Sequence, residues 1–340
     1  MNKFALGLAV IGAITASIGF YNIAKQSMSP NTVIYEQKVL DNWTAYKIIN
    51  LKSYSSEHES NYRLAVFNEN LKKIDEINSN PKNTFKAGLN EFSDLTAEEF
   101  GATFTGLNKD LQEEDPSIET LESSPDLTFK GIDWTTLGGV TPPKRQGECG
   151  ACWAFAAIGC LENLDFIQNK QLRNFSEQQL VDCDKGSYIP PTPGNQGCLG
   201  GGSPKALKYT SWNGVTYERT YPYTFKQGTC KYNKSMSLFK NNSYRKIKRY
   251  SLNSLKAALD VGVVAISIDG DCLQHYQYGI YNIDCLENLN HEVLAVGYGD
   301  GFFKLKNSWG TGWGEKGYFR LGVASGQGII GMLSDMTQAI

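Results

Sequence analysis

The stretch RQGECGACWAF, Arg145 to Phe155, sets two cysteines three positions apart, Cys149 and Cys152, immediately before an apolar run with helical character. A pair so spaced has three chemical readings: half of a zinc site, a redox dithiol, or one disulfide half beside a reactive thiol. Structural zinc needs four ligands, usually from two close pairs. Cys183 and Cys198 are too far apart to form the second pair, and the chain has only His58, His275 and His291, so no metal is expected. A redox dithiol normally follows a strand in a βαβ unit, whereas here the pair follows the Pro-containing GGVTPPKRQGE.

The third reading makes Cys152 a nucleophile. A thiol with a pKa near 8.5 is mostly protonated at neutral or acid pH and needs help to ionise. Cys152 would open the helix CWAFAAIGCLENLDFIQ, whose N-terminus favours an anion. NHEVLAVGYG offers His291 as the imidazole, and KNSWGTGWG offers Asn307 to orient it. Gln146 can add a side-chain amide to the Cys152 backbone N–H, giving two donors for an oxyanion.

At 340 residues, with 41% apolar and 20% charged residues, the chain is long enough for one large domain or two smaller ones. A net charge of −2 points to neither nucleic acid nor an acidic partner. Residues 1–127 carry 11 Lys and Arg against 18 Asp and Glu, and residues 128–340 carry 22 against 17. Opposite charge on two halves predicts that they lie against each other. MNKFALGLAVIGAITASIGF reads as a secretory signal, residues 1–19, with Ser17-Ile18-Gly19 a plausible cleavage site; an uncleaved anchor is the competing reading. Four sequons, at Asn42, Asn174, Asn233 and Asn241, fit a secretory route. All eight cysteines follow residue 148, which predicts disulfides confined to the second half.

Apolar spacing predicts helices over Glu36–Ile49 and Glu57–Asn78, the second ended by Pro81. FKAGLNEFSDLT reads as a short strand and turn before a helical turn capped by Thr96 and Glu99. Residues 108–126 are acidic and poor in large apolar residues, the composition of a mobile linker. After it come a helix over Cys152–Gln168 and another opened by a capping box of Ser176 and Gln179. Beyond Val261 the runs VVAISID, GIYNI, EVLAVGYG, FFKLKNSW and GYFRLGV predict strands. Helices first and strands later describe an α+β arrangement in two lobes.

Gln146-Gly-Glu-Cys-Gly-Ala-Cys-Trp153 resembles the active-site segment of papain-family cysteine proteases, a signature with His and Asn far downstream. SEQQLVDCD, GCLGGG, YPY, NHEVLAVGYG and NSWGTGWGEKGYFR extend the resemblance over nearly all of residues 128–340. Glu59, Arg63, Phe67, Asn70, Ile74 and Asn78 are similar to the E-x3-R-x3-F-x2-N-x3-I-x3-N prosegment pattern. Gly88, Asn90, Phe92 and Asp94 resemble the G-x-N-x-F-x-D motif that follows it. The resemblance implies a cathepsin L-like zymogen: signal 1–19, inhibitory prosegment 20–127 running backwards through the cleft, and mature peptidase 128–340.

The resemblance further implies that Cys152 is nucleophile, His291 general acid/base, Asn307 its orienting partner and Gln146 the oxyanion donor, with Trp309 shielding the His–Asn contact. It implies the bridges Cys149–Cys198 and Cys183–Cys230. The later half of the usual third bridge aligns with Gln327, so Cys285 is expected to pair with Cys272. Cys160 is left as a small buried hydrophobe. Gly200 and Gly201 would pair with an extended substrate. The second pocket would comprise Gly202, Ser203, Ser267, Leu289 and Met332, a set without an acid at its floor, which predicts a hydrophobic side chain at the substrate position second before the cut. Substrates would be proteins or peptides cut internally. No cofactor, nucleic acid or lasting membrane association is expected, and the enzyme is expected to be monomeric, in the secretory pathway, a lysosome or digestive vacuole, or outside the cell.

Three features depart from the pattern. Glu292 stands where the family has a small residue, either as a solvated strand-end carboxylate or as a charge that raises the His291 pKa. KGSYIPPTPGNQG makes a longer, stiff loop between Cys183 and Cys198. His275, with no motif around it, reads as a surface or packing residue and His58 as solvated. A catalytically silent homologue acting as a binding protein, and the thiol oxidoreductase, are the competing functions.

Overall fold

The computed structural model describes residues 35–108, 117–123, 128–186, 194–285 and 288–340. The expected signal, most of the acidic linker, the Pro-rich part of the 185–197 loop and residues 124–127, just before the expected mature start, lie outside the described residues. The chain divides into two units, residues 1–52 and 53–340. The first contributes helix α1 (Gln37–Ile49), where Trp43 and Tyr46 are buried and stacked at 5.7 Å.

The second unit starts with α2 (Glu57–Ser79). Ser56 caps it by accepting from the Glu59 N–H, which stabilises the first turn by about 1 kcal/mol. Leu64, Phe67, Asn70 and Ile74 mark its buried face, and the chain leaves it just before Pro81. Arg63 pairs with Glu99 at 2.6 Å. Glu99 also completes a capping box with Thr96 at the start of α3 (Ala97–Phe104). Asn70 is buried, and its amide donates to the carbonyls of Ser93 and Leu95. The prosegment motifs are thus the residues that weld α2 to α3.

Residues 128–340 form two cores. The helical one gathers α4 (Cys152–Asn169), α5 (Glu177–Cys183) and α6 (Ser203–Asn213) around Trp153, Leu161, Phe175 and Leu207. The other holds α7 (Leu252–Leu259) against a sheet containing β5 (Val264–Ile268), β6 (Tyr276–Tyr281), β7 (His291–Gly299), β8 (Phe302–Lys306) and β9 (Tyr318–Gly322). Strand β7 serves both cores, because side chains alternate along a strand. Val293 and Ala295 belong to the sheet core, and Leu294 and Val296 to the helical core. Among the described residues no helix is long and apolar enough to cross a membrane.

The front half supplies strands to both edges of this sheet, whose order is β1-β6-β9-β8-β7-β5-β10-β4-β2. At one edge β1 (Phe85–Ala87) runs antiparallel to β6. At the other, β2 (Thr120–Leu121) runs parallel to β4 (Tyr244–Ile247), which pairs with β10 (Met336–Ala339). A further short strand, β3 (Ile132–Asp133), pairs with β7.

The structure amends several expectations. Ser176 caps α5, but the Gln179 side chain reaches Gly214 and Thr216 instead of closing the box. Helices α6 and α7 and strands β4 and β10 carried no expectation. Asn241 is 1% exposed and bonded to Thr210, Leu207 and Ser243, so this sequon is closed to a glycan. His275 is buried, while His58 is exposed.

Candidate active site

Cys152 is the first residue of α4, and the loop before it is held from several sides. Cys149 is bonded to Cys198, and Gly150 N–H donates to the Cys198 carbonyl at 3.0 Å. Trp153 Nε1 donates to the Gly197 carbonyl. These contacts fix the helix start against the glycine-rich loop, and they leave Cys152 a buried free thiol. Cys160, further along α4, is also free and buried. The other bridges are Cys183–Cys230 and Cys272–Cys285.

Gln146 sits before this loop with its backbone N–H on the Ser308 carbonyl at 2.8 Å and its Oε1 accepting from Ser308 Oγ at 2.6 Å. That bond turns Nε2 towards the cleft, where it donates to the carbonyls of Cys149 and Phe104. Tyr223 Oη donates to the Gln146 carbonyl.

His291 opens β7, and Asn307 follows the end of β8, beyond the Leu294–Lys306 register pair. The register therefore brings the two side chains together: His291 Nε2 lies 2.8 Å from Asn307 Oδ1. Asn307 Oδ1 also accepts from the Ser308 N–H, so Ser308 connects the imidazole's partner to Gln146. Trp309 stacks on His291 with ring centres 4.7 Å apart and covers the pair. The other imidazole nitrogen, Nδ1, is buried with no hydrogen-bond partner. Burial lowers the His291 pKa to about 4, opposed by the Asn307 bond. Burial likewise pushes the Cys152 thiol up, and the Glu292 carboxylate pushes it further. With the cleft covered, thiol and imidazole are held uncharged.

The cover is the segment from Phe104 to Asn108. Gly106 and Leu107 N–H both donate to the Asn290 carbonyl, Gly201 N–H donates to Gly106, and Asn108 N–H donates to Gly201. Leu107 forms a parallel bridge with Gly201. The Phe104 carbonyl accepts from Gln146 Nε2 and from Trp309 Nε1 at 2.9 Å. A Cβ on Gly106 would lie 2.3 Å from the Gly150 oxygen, so only glycine lets this segment pass so close to Cys152.

Gly200, with φ +118, Gly201 and Gly202 are fixed by Asn195, whose Oδ1 accepts from Gly202 N–H. Ser203, Ser267 and Met332 are buried and Leu289 is half-buried. One expectation fails here: Glu292 is 2% exposed rather than solvated, and its charge raises the Cys152 thiol pKa, while His291 is shifted by burial and the Asn307 bond. Within the pocket set, Ser203 N–H donates to Glu292, and Asp335 Oδ2 lies 3.4 Å from Ser267 Oγ. Sequence reading gave no role to Ser308, though it adjoins Asn307 in the quoted motif. It could not find the Asn290 and Phe104 carbonyls, because any residue supplies a backbone oxygen.

A buried thiol at a helix start, an imidazole–amide pair across a cleft between two lobes, and a preceding segment threaded through that cleft define the proform of a cysteine peptidase. Residues 129–338 match the papain family cysteine protease domain and residues 43–100 the cathepsin propeptide inhibitor domain (I29), so the chain belongs to the papain family and is a cysteine endopeptidase made with its own inhibitory prosegment. It is 38% identical to digestive cysteine proteinase 1 of Homarus americanus over 292 residues, covering 82% of this chain and 88% of that one. Identity to papain of Carica papaya is 32% over 334 residues, covering 96% of this chain and 94% of that one. Among solved structures, digestive procathepsin L 3 of Tenebrio molitor larval midgut superposes with a TM-score of 0.79 at 33% identity, covering 89% of this chain and 99% of that one.

Proposed function

We propose that peptide hydrolysis runs through Cys152, with His291 as general acid/base. The observation that carries this is the 2.8 Å His291–Asn307 contact, which leaves the second imidazole nitrogen buried and unbonded. The imidazole takes the thiol proton, the thiolate attacks the scissile carbonyl, and the oxyanion is held by Gln146 Nε2 and the Cys152 N–H. Imidazolium then protonates the leaving amine. Water, activated by the same imidazole, hydrolyses the thioester and restores Cys152. Asn307 and Trp309 keep the ring oriented and dry. A Cys152→Ala variant that still hydrolysed peptide substrates would refute the assignment.

Gly200 and Gly201 receive the substrate backbone, and Gly202, Ser203, Ser267, Leu289 and Met332 surround the side chain second before the cut. That set is mostly small or apolar, which supports a hydrophobic preference there. Arg–Arg substrates outcompeting Leu–Arg ones would count against it. The zymogen is activated by acid, with cleavage around Ser124–Thr128. The acidic prosegment meets basic enzyme residues through Glu91–Arg145 and Glu122–Lys248, and such attraction fades as carboxylates protonate. Equal maturation rates at pH 7 and pH 4.5 would refute the acid trigger. The enzyme acts as a monomer after signal removal, in a lysosome, digestive vacuole or extracellular space.

A further inference from the structure

Glu292 is the buried group the reaction scheme does not use. It follows His291 in β7 and opens the row of side chains, continued by Leu294 and Val296, that packs on the helical lobe. Its carboxyl is therefore driven between the lobes. There Ser203 N–H donates to Oε2 at 2.9 Å and Ser203 Oγ lies 3.0 Å from Oε1. Ser203 starts α6, directly after Gly200–Gly202; the helix has Gly202 at its cap, with no side-chain bond and no acid in its first turn. Glu292 supplies from across the cleft the oxygen this helix start lacks. Its charge raises the Cys152 thiol pKa. One residue thus joins the histidine strand to the helix behind the substrate-pairing glycines, within electrostatic reach of the reactive sulfur.

We infer that Glu292 is a positioning residue of the peptidase reaction that works as the neutral acid, pinning the start of α6 to the histidine strand, and that its deprotonation opposes the Cys152 thiolate. The inference rests on Cys152 being the nucleophile. The surroundings set the sign. Burial and Asp335, just before β10, push the carboxyl up to about 8, against the Ser203 bonds and Lys246 of β4, which is itself paired with Asp335 at 2.7 Å. From α4 it faces Cys152 and the Cys160 thiol, and on β5 its register partner is the neutral Ser267. Lys144, Glu177 and Lys306 share a small cavity with it. Below this range the acid is neutral and the thiolate is unopposed. Above it, two negative groups compete for one low-dielectric site.

The test is the pH dependence of Cys152 alkylation by iodoacetamide in the matured enzyme, read by peptide mass, which does not require any substrate to be cleaved. In wild type the rate should rise with pH as Cys152 ionises, and the Glu292 charge should displace that rise towards alkaline pH. In the Glu292→Gln variant, with the same shape and no proton to lose, the rise should move down by about one pH unit. Ser203→Ala and Glu292→Ala should raise KM for a peptide substrate several-fold more than they lower kcat, and Glu292→Gln should restore most of the KM. A rise centred at the same pH in wild type and Glu292→Gln, or a KM unmoved in Ser203→Ala, would overturn the inference. Absence of selective Cys152 alkylation at any pH would instead defeat the nucleophile assignment, and this inference with it.

Discussion

Gln146 Nε2 donates to the backbone carbonyl of Phe104 at 3.2 Å, so the zymogen places a carbonyl oxygen of its own prosegment on the amide assigned to the oxyanion. The same donor is asked to serve inhibition and catalysis. Gln146→Ala should lower kcat of the matured enzyme about 100-fold or more, the usual cost of one oxyanion donor, with little change in KM. It should also loosen the prosegment. Steady-state kinetics after maturation, with prosegment inhibition measured on the same variant, checks both effects.

Gly106 is the point of closest passage. A methyl there meets the Gly150 backbone and would have to displace the four hydrogen bonds that Gly106, Leu107, Asn108, Gly201 and Asn290 form. Gly106→Ala should weaken prosegment binding by about 1–3 kcal/mol, a 5- to 150-fold loss. Residual activity of uncleaved zymogen is the measurement, with Cys152 alkylation rate as a second readout.

Asn70 tests the prosegment core. Its amide donates to the buried Ser93 carbonyl and to Leu95, whose carbonyl also accepts from Gln274 Nε2, so Asn70→Leu orphans the Ser93 oxygen. The expected loss of zymogen stability is about 1–3 kcal/mol. The matured enzyme, which no longer contains the residue, should be unaffected. Thermal unfolding of zymogen and matured enzyme side by side distinguishes the two.

His275 gives a pH prediction. Its carbonyl accepts from Gly88 N–H of the prosegment, both ring nitrogens are buried without partners, and burial together with Lys73 of α2 lowers its pKa to about 4. Against an ordinary value near 6.5, the neutral ring favours the closed arrangement fully above that pH. The contribution, at most about 3 kcal/mol, is lost progressively as pH falls from about 6.5 towards 4. His275→Leu should therefore flatten the acid dependence of prosegment release. A release profile unchanged from wild type would leave carboxylate titration as the sole source.

The parts legible in sequence are those where chemistry or helical periodicity repeats. The α2 face of Leu64, Phe67, Asn70 and Ile74, the Thr96–Glu99 cap and the His291 and Asn307 strands could all be read directly. Helix α6 could not, since Ser203, Lys205, Thr210 and Ser211 are buried along with its apolar residues, which erases the amphipathic pattern. Glu292 was misread because a carboxylate at a strand start is usually solvated. Only the tertiary fold brings a helix N-terminus to it. The glycine-rich path of the inhibitory segment rests on backbone carbonyls, which no side-chain pattern encodes.

The central claim is that the reacting group is one thiol at the start of α4, with Cys149 structural. Labelling the acid-matured enzyme with an epoxide inhibitor of cysteine peptidases, followed by peptide mapping, tests it most directly. The account predicts modification at Cys152 alone, with Cys149 recovered in its bridge to Cys198. Label on Cys149, or equal alkylation of Cys149 and Cys152 after mild reduction, would contradict it.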